Sequence, residues 1–168
     1  MAVKNIGKLL IGLVDGEIPR GTLGIYEAEL LMANHAWAII EYIELWPEAL
    51  HFELADRLVC KRNNTVTCFF ENIHRFAGIN NPKALALKAL SNGSPWALMS
   101  SGSGQGLMEF DWLDQDIALA IIKAGRGELV AKNPKAFSGL DQKEIVWALA
   151  QQCPESIGIF MRGCEKTP

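Results

Sequence analysis

Apolar residues recur along this chain at spacings of three and four, the period of a helix with one face in a core. In Asp141 to Phe160, DQKEIVWALAQQCPESIGIF, such a stripe is formed by Ile145, Ala148 and Leu149, and Ile157 and Phe160 continue one beyond a break. Asp141 suits an N-cap, and Glu144 three residues later predicts a capping box. Pro154 suits the first position of a following helix, where its missing N–H is no loss. The pattern predicts a helix, a break and a second short helix.

Three other stretches show related patterns: Asn34 to Phe52 (NHAWAIIEYIELWPEALHF), Pro82 to Met99 (PKALALKALSNGSPWALM) and Asp114 to Val130 (DQDIALAIIKAGRGELV). In register, three columns are apolar throughout: Ala38, Ala86, Ala118 and Ile145; Ile39, Leu87, Leu119 and Val146; Tyr42, Leu90, Ile122 and Leu149. These are expected core positions. The column Ile40, Lys88, Ala120 and Trp147 has no shared character, as a partly exposed position would. The short motifs WPEAL, SPWAL and CPESI follow the breaks, and NPKAL and NPKAF occur elsewhere in the unit. The starts are unevenly spaced, which excludes a fixed-period array. The expected fold is all-α: an irregular array or bundle of short helical hairpins, in one domain over residues 1–168.

The remaining elements follow from caps and stripes. Val3, Ile6, Leu9, Leu10 and Leu13 predict a first amphipathic helix packed on the domain rather than on a membrane. Thr22 is expected to cap a helix reaching about Met32, and Asn34 the next. A helix from Pro47 through Leu54 and Leu58 should end in the polar turn CKRNN at 60–64. The helix expected over about Thr65 to Phe76 carries Val66, Phe69, Phe70, Ile73 and Phe76, the densest aromatic stripe. Asn81 and Pro82 form an N-cap and first-position pair. Phe110 and Leu113 before Asp114, and Phe137 and Leu140 before Asp141, are placed to staple helix starts. Residues 100–106, SSGSGQG, read as a surface loop between hairpins. Their G-x-G-x-G spacing falls short of a dinucleotide fingerprint, and no Walker lysine follows. Residues 164–168 are expected to fray.

The motif DQKEIVWAL, taken with proline-led segments such as PEAL at 47–50, resembles short α-helical repeats of unknown function in some bacterial proteins, including effector-type proteins. The resemblance covers roughly residues 34–160. It implies a helical scaffold and carries over no catalytic residue.

Composition narrows the function. At 168 residues, 49% hydrophobic and 21% charged, the chain is folded material rather than disordered. A net charge of -3 gives no general attraction to nucleic acid, so no nucleic-acid partner is expected. No run of eighteen apolar residues predicts a transmembrane segment. The N-terminus lacks a cleavage site, which predicts a cytoplasmic protein; delivery into another cell is compatible with the same features. Cys60, Cys68, Cys153 and Cys164 form no C-x-x-C pair and are expected as reduced thiols, with no metal and no cofactor. A cysteine nucleophile would require Cys60 or Cys68 with His51 or His74. Cys68 and His74, six residues apart, do not share a helix face. Asp114 and Asp116 read as helix-start carboxylates. Arg57, Lys61, Arg62 and Arg75 are the one basic concentration: solvated helix ends, or a patch for an acidic partner.

The leading expectation is a non-enzymatic protein–protein interaction module. Its candidate contact residues are Trp37, Trp96 and Trp147 as aromatic anchors, with Lys88 from the mixed column. The partner is another protein, and self-association is compatible with this. One alternative is a helical bundle binding a small apolar ligand, with residues 100–106 as a lid. Enzymatic activity ranks last.

Overall fold

Side-chain caps at Asn5, Asn81, Asp114 and Asp141 start four of the helices, and helices stop at glycine or a tight turn. The computed structural model describes residues 5–61, 63–94, 96–99 and 107–165. The loop expected at 100–106 and Val3 lie outside the described residues. The described residues form ten α-helices: α1 (Ile6–Val14), α2 (Ile25–Met32), α3 (Ala36–Glu41), α4 (Glu48–Leu58), α5 (Asn63–Glu71), α6 (Pro82–Ser91), α7 (Gln115–Lys123), α8 (Gly127–Lys132), α9 (Gln142–Gln152) and α10 (Ile157–Glu165). The protein is all-α and folds as a single domain. Extended pairing among the described residues is limited to two isolated bridges, Met99 with Leu107 and Asp114 with Ser138.

A local order recurs along the chain: helix, turn, second helix, one turn of 3-10 helix, then an extended aromatic residue. After α2 and α3 come Ile43–Leu45 and Trp46; after α4 and α5, Ile73–Arg75 and Phe76; after α7 and α8, Pro134–Ala136 and Phe137. The three aromatics have similar backbones, with φ/ψ of -94/146, -91/116 and -109/135. Each donates its N–H to the first carbonyl of its 3-10 turn, and each is buried. The tight turn satisfies carbonyls left over at the helix end and redirects the chain, so the aromatic side chain enters the core.

This recurrence is out of phase with the sequence columns. Helix α3 is the second helix of its pair, whereas α6, α7 and α9 are first helices. Ile40, expected in the exposed column, is therefore buried, at 1% exposure. The first column is buried in all four copies. The third is buried at Leu90, Ile122 and Leu149 and half-buried at Tyr42; the second is buried only at Ile39. The prolines shift in the same way: Pro47 precedes a first helix, while Pro154 opens a 3-10 turn ahead of a second helix.

The linkers between pairs are tied to one another. Gly21 and Leu23 donate N–H to the carbonyls of Glu44 and Leu45 at 3.1 and 3.0 Å, and Ser138 donates to Leu113 at 2.9 Å. His51 makes the same kind of tie with its side chain. Its Nδ1 accepts the Ala77 N–H at 2.9 Å, so Nε2 carries the proton and donates to the Trp46 carbonyl at 3.2 Å. The imidazole is 3% exposed and lies edge-on to Phe76, at 6.0 Å between centroids. Trp46 donates its indole N–H to the Gly24 carbonyl at 3.0 Å. Phe69 packs edge-on to Phe70 and Phe76, but α5 ends at Glu71, short of the predicted Phe76, which follows a 3-10 turn in extended backbone.

Several caps differ from the expected ones. Thr22 donates its hydroxyl to Pro19 instead of capping α2; Gly24 is the N-cap, and its N–H reaches Glu27. His35 rather than Asn34 precedes α3. Asn81, Asp114 and Asp141 cap as predicted. The Glu144 half of the predicted capping box is displaced by Gln115. That amide donates to Glu144 and accepts the Asp141 N–H at 2.6 Å, linking the starts of α7 and α9. At the C-terminus Cys164 remains within α10.

Candidate functional site

Cleft formation follows from how the hairpin turns are made. Helices α2 and α3 are joined through Ala33–His35, α4 and α5 through Val59–Arg62, and α6 ends in Asn92 and Gly93. Gly93 has φ +80, and Ser94 donates its N–H back to the Ala89 carbonyl at 3.1 Å, the hydrogen bond of a Schellman ending. The three turns lie side by side. Asn92 Nδ2 donates to Cys60 Sγ at 3.3 Å, and Ser94 Oγ donates to the Lys61 carbonyl at 3.3 Å. Between the turns runs an open cleft of about 800 Å³.

Its walls are chemically distinct. Trp37 and Ala36 on α3, with Met32 at the end of α2, form an apolar side. Asn34 in the α2–α3 turn, Asn64 in the first turn of α5 and Asn92 at the end of α6 supply three amides. Lys61 stands in the lining and forms no ion pair among the described residues, and no carboxylate lines the cleft. A shallower depression bounded by Met32, Asp56, Arg57, Cys60 and Lys61 continues from it.

The basic group expected from the sequence is mostly neutralised. Arg57 pairs with Glu53 at 2.7 Å and Glu29 at 3.2 Å; these hydrogen bonds, Glu53's first, hold its guanidinium above its ordinary value. Arg75 pairs with Glu44 at 3.1 Å and donates to the Glu41 carbonyl. Arg62 lies outside the described residues. Among the described residues Lys61 is the cation left on the cleft.

The four predicted contact residues are not gathered into one site. Trp37 is 49% exposed and lines the cleft. Lys88 stands beside it, bound to Asp56 at 2.5 Å. The hydrogen bond to Asp56 holds its ammonium above the ordinary lysine value, with a smaller contribution from Cys60. Trp96 is 37% exposed, and the Arg126 guanidinium covers one face of its ring at 3.4 Å from the centroid. Trp147 is 65% exposed on α9, away from the cleft. The three asparagines were not singled out by sequence. Their only signal is their recurrence in polar breaks between apolar stripes, which turn chemistry explains equally well.

The cysteine–histidine pairings considered from composition do not form. His51 is committed to two backbone groups, and His74 is exposed. No disulfide joins the four cysteines. Burial, with the charge of Glu71 behind it, pushes the Cys68 thiol up and keeps it protonated. Cys60 is exposed at the cleft, donating to the Asp56 carbonyl at 3.4 Å. Among the described residues no three His, Cys, Asp or Glu side chains converge on a point that could hold a metal ion, and no helix is long and apolar enough to cross a membrane. Comparison of the chain with protein families, curated proteins and solved structures gives no match.

Proposed function

We propose that the protein is a non-enzymatic binding module, an irregular repeat of helical hairpins that engages another protein. The observation that carries this is the contrast among its tryptophans. Trp46 is 1% exposed and hydrogen-bonded in the core, whereas Trp37, Trp96 and Trp147 remain 49%, 37% and 65% exposed. Large exposed aromatics on rigid helices are the side chains from which protein interfaces draw most of their affinity. Lys88, held by Asp56 beside the Trp37 cleft, would set charge at the rim of such an interface. The clefts are open and of mixed polarity, which favours a macromolecular partner over an enclosed apolar ligand.

The test is capture from native-host lysate by the intact protein and by a Trp37→Ala, Trp96→Ala, Trp147→Ala variant of unchanged circular dichroism. A protein retained reproducibly by the first and lost by the second supports the module. Equal retention by both, or retention of nothing specific by the intact protein, counts against it.

A further inference from the structure

Three successive hairpin ends, one of them the first turn of α5, each deliver one asparagine to the same cleft, and this points to what the cleft holds. A primary amide offers a donor and an acceptor side by side, the same pair that a peptide group presents. The side chains of Asn34 and Asn64 make no hydrogen bond to the described residues, and Asn92 gives one N–H to the sulfur of Cys60, a weak acceptor. Amide capacity is therefore available in three places along one cleft. Beside them Trp37 offers a broad apolar wall, and Lys61 a cation with no ion-pair partner among the described residues.

We propose that this cleft binds an extended, acidic peptide segment. The backbone of the segment pairs with the amides of Asn34, Asn64 and Asn92, an apolar side chain packs on Trp37, and a carboxylate meets Lys61. An extended chain fits because its backbone groups recur at short, regular intervals and would otherwise lose their hydrogen bonds on leaving water. Acidic character follows from the charge of the lining: one lysine and no carboxylate. A nucleic-acid strand is disfavoured by the chain's net charge of -3, with Lys61 the one cation lining the cleft among the described residues. The proposal rests on the binding-module reading and specifies which surface serves it and for what chemistry.

Cys60 provides a built-in reporter, since it is exposed on the cleft wall. Short random peptides displayed on phage are selected against the intact protein. An enriched peptide is then synthesised, and iodoacetamide labelling of Cys60 is followed by mass spectrometry with the peptide, with polyuridylate, or with a mixed oligosaccharide panel. The expected result is enrichment of peptides carrying an acidic residue near a large apolar one. The saturating peptide slows Cys60 labelling about tenfold or more; Asn64→Ala and Asn92→Ala each weaken binding about tenfold, Lys61→Gln removes the preference for acid, and Trp147→Ala changes nothing. Failure to enrich any peptide overturns the proposal. So does protection of Cys60 by the polynucleotide or a saccharide instead of the peptide. Peptides that bind through Trp96 or Trp147 while Cys60 stays reactive overturn the cleft assignment and leave the module standing; loss of both peptide binding and lysate capture removes the two together.

Discussion

The two halves of the molecule use the same local unit and differ in how its helices and turns meet. In α7–α10 two helix contacts are made through glycine, while an open cleft of about 720 Å³ remains beside them, lined by Lys132, Asn133, Pro134 and Gly163 among others. A Cβ added to Gly127, at the start of α8, would lie 2.7 Å from Leu149 Cδ2 and 2.9 Å from Cys153 Sγ; one added to Gly163 of α10 would lie 2.8 Å from Pro134 Cγ. Bare backbone there substitutes for a side chain and permits close packing. In α2–α6 the turns instead carry asparagine and lysine, whose side chains stay in water, and the cleft remains between them. At the junction, Arg126 from the α7–α8 turn lies over Trp96 and fills the edge. Glycine within a helix lets the neighbouring element approach closely, whereas asparagine and lysine at the hairpin ends keep their side chains in the cleft.

The α2–α6 half has another source of cohesion in His51. His51→Ala would leave the Ala77 N–H and the Trp46 carbonyl buried without their partner, a loss of about 2–4 kcal/mol by the usual cost of unsatisfied groups. Urea unfolding of the variant measures it; a loss under 1 kcal/mol would show that the linkers hold without the imidazole. In α7–α10, Gly127→Ala should cost about 1–3 kcal/mol by overpacking. Gly158→Ala is the matched control. It sits in α10, where a Cβ meets nothing nearer than Arg162 at 3.9 Å, so it should gain about 0.5–1 kcal/mol from helix propensity. The same sign for both variants would remove the close-packing account.

Asp114 links the two halves, capping α7 and meeting Lys83 of α6 at 2.5 Å. Burial alone would raise its carboxyl. The Lys83 hydrogen bond, the N–H groups of Ile117 and Asp116 and the Lys83 charge outweigh burial and hold it below the usual carboxylate value. The folded value being lower than the unfolded one, its contribution is complete above the unfolded value and fades as pH falls through the folded one. Asp114→Ala should therefore cost about 1 kcal/mol at neutral pH, mostly the cap, and that difference should shrink in acid. Thermal melts of both proteins between neutral pH and about pH 3 would show the two converging. The smallest effect belongs to Trp147→Ala, which should alter stability by less than about 0.5 kcal/mol because the ring is 65% exposed. A large drop in the melt would place that ring in the core and withdraw it from the binding surface.

Much of this was readable from the chain. The caps at Asn81, Asp114 and Asp141 depend on residues two or three positions away, and they form as predicted. The buried column Ala38, Ala86, Ala118 and Ile145 follows from helical period alone. The phase of the hairpins was not readable, because an apolar stripe is the same whether its helix enters or leaves a pair. Ile40 is buried, and Lys88 and Trp147 are not, for that reason. The fate of Glu144 was hidden too, since its partner Gln115 stands 29 residues earlier.

The sequence by itself determined that the chain is helical, where α4, α6, α7 and α9 start, and that tryptophan, lysine and asparagine are present in the breaks. These depend on backbone capping and side-chain period, which act over one or two turns. Only the tertiary structure decided that His51 is a tie between linkers, that Arg57 is neutralised while Lys61 is not, and that Asn34, Asn64 and Asn92 share one cleft. Each of those depends on which turns come to lie side by side, and that is set by packing between helices distant in the chain, where period and capping carry no information.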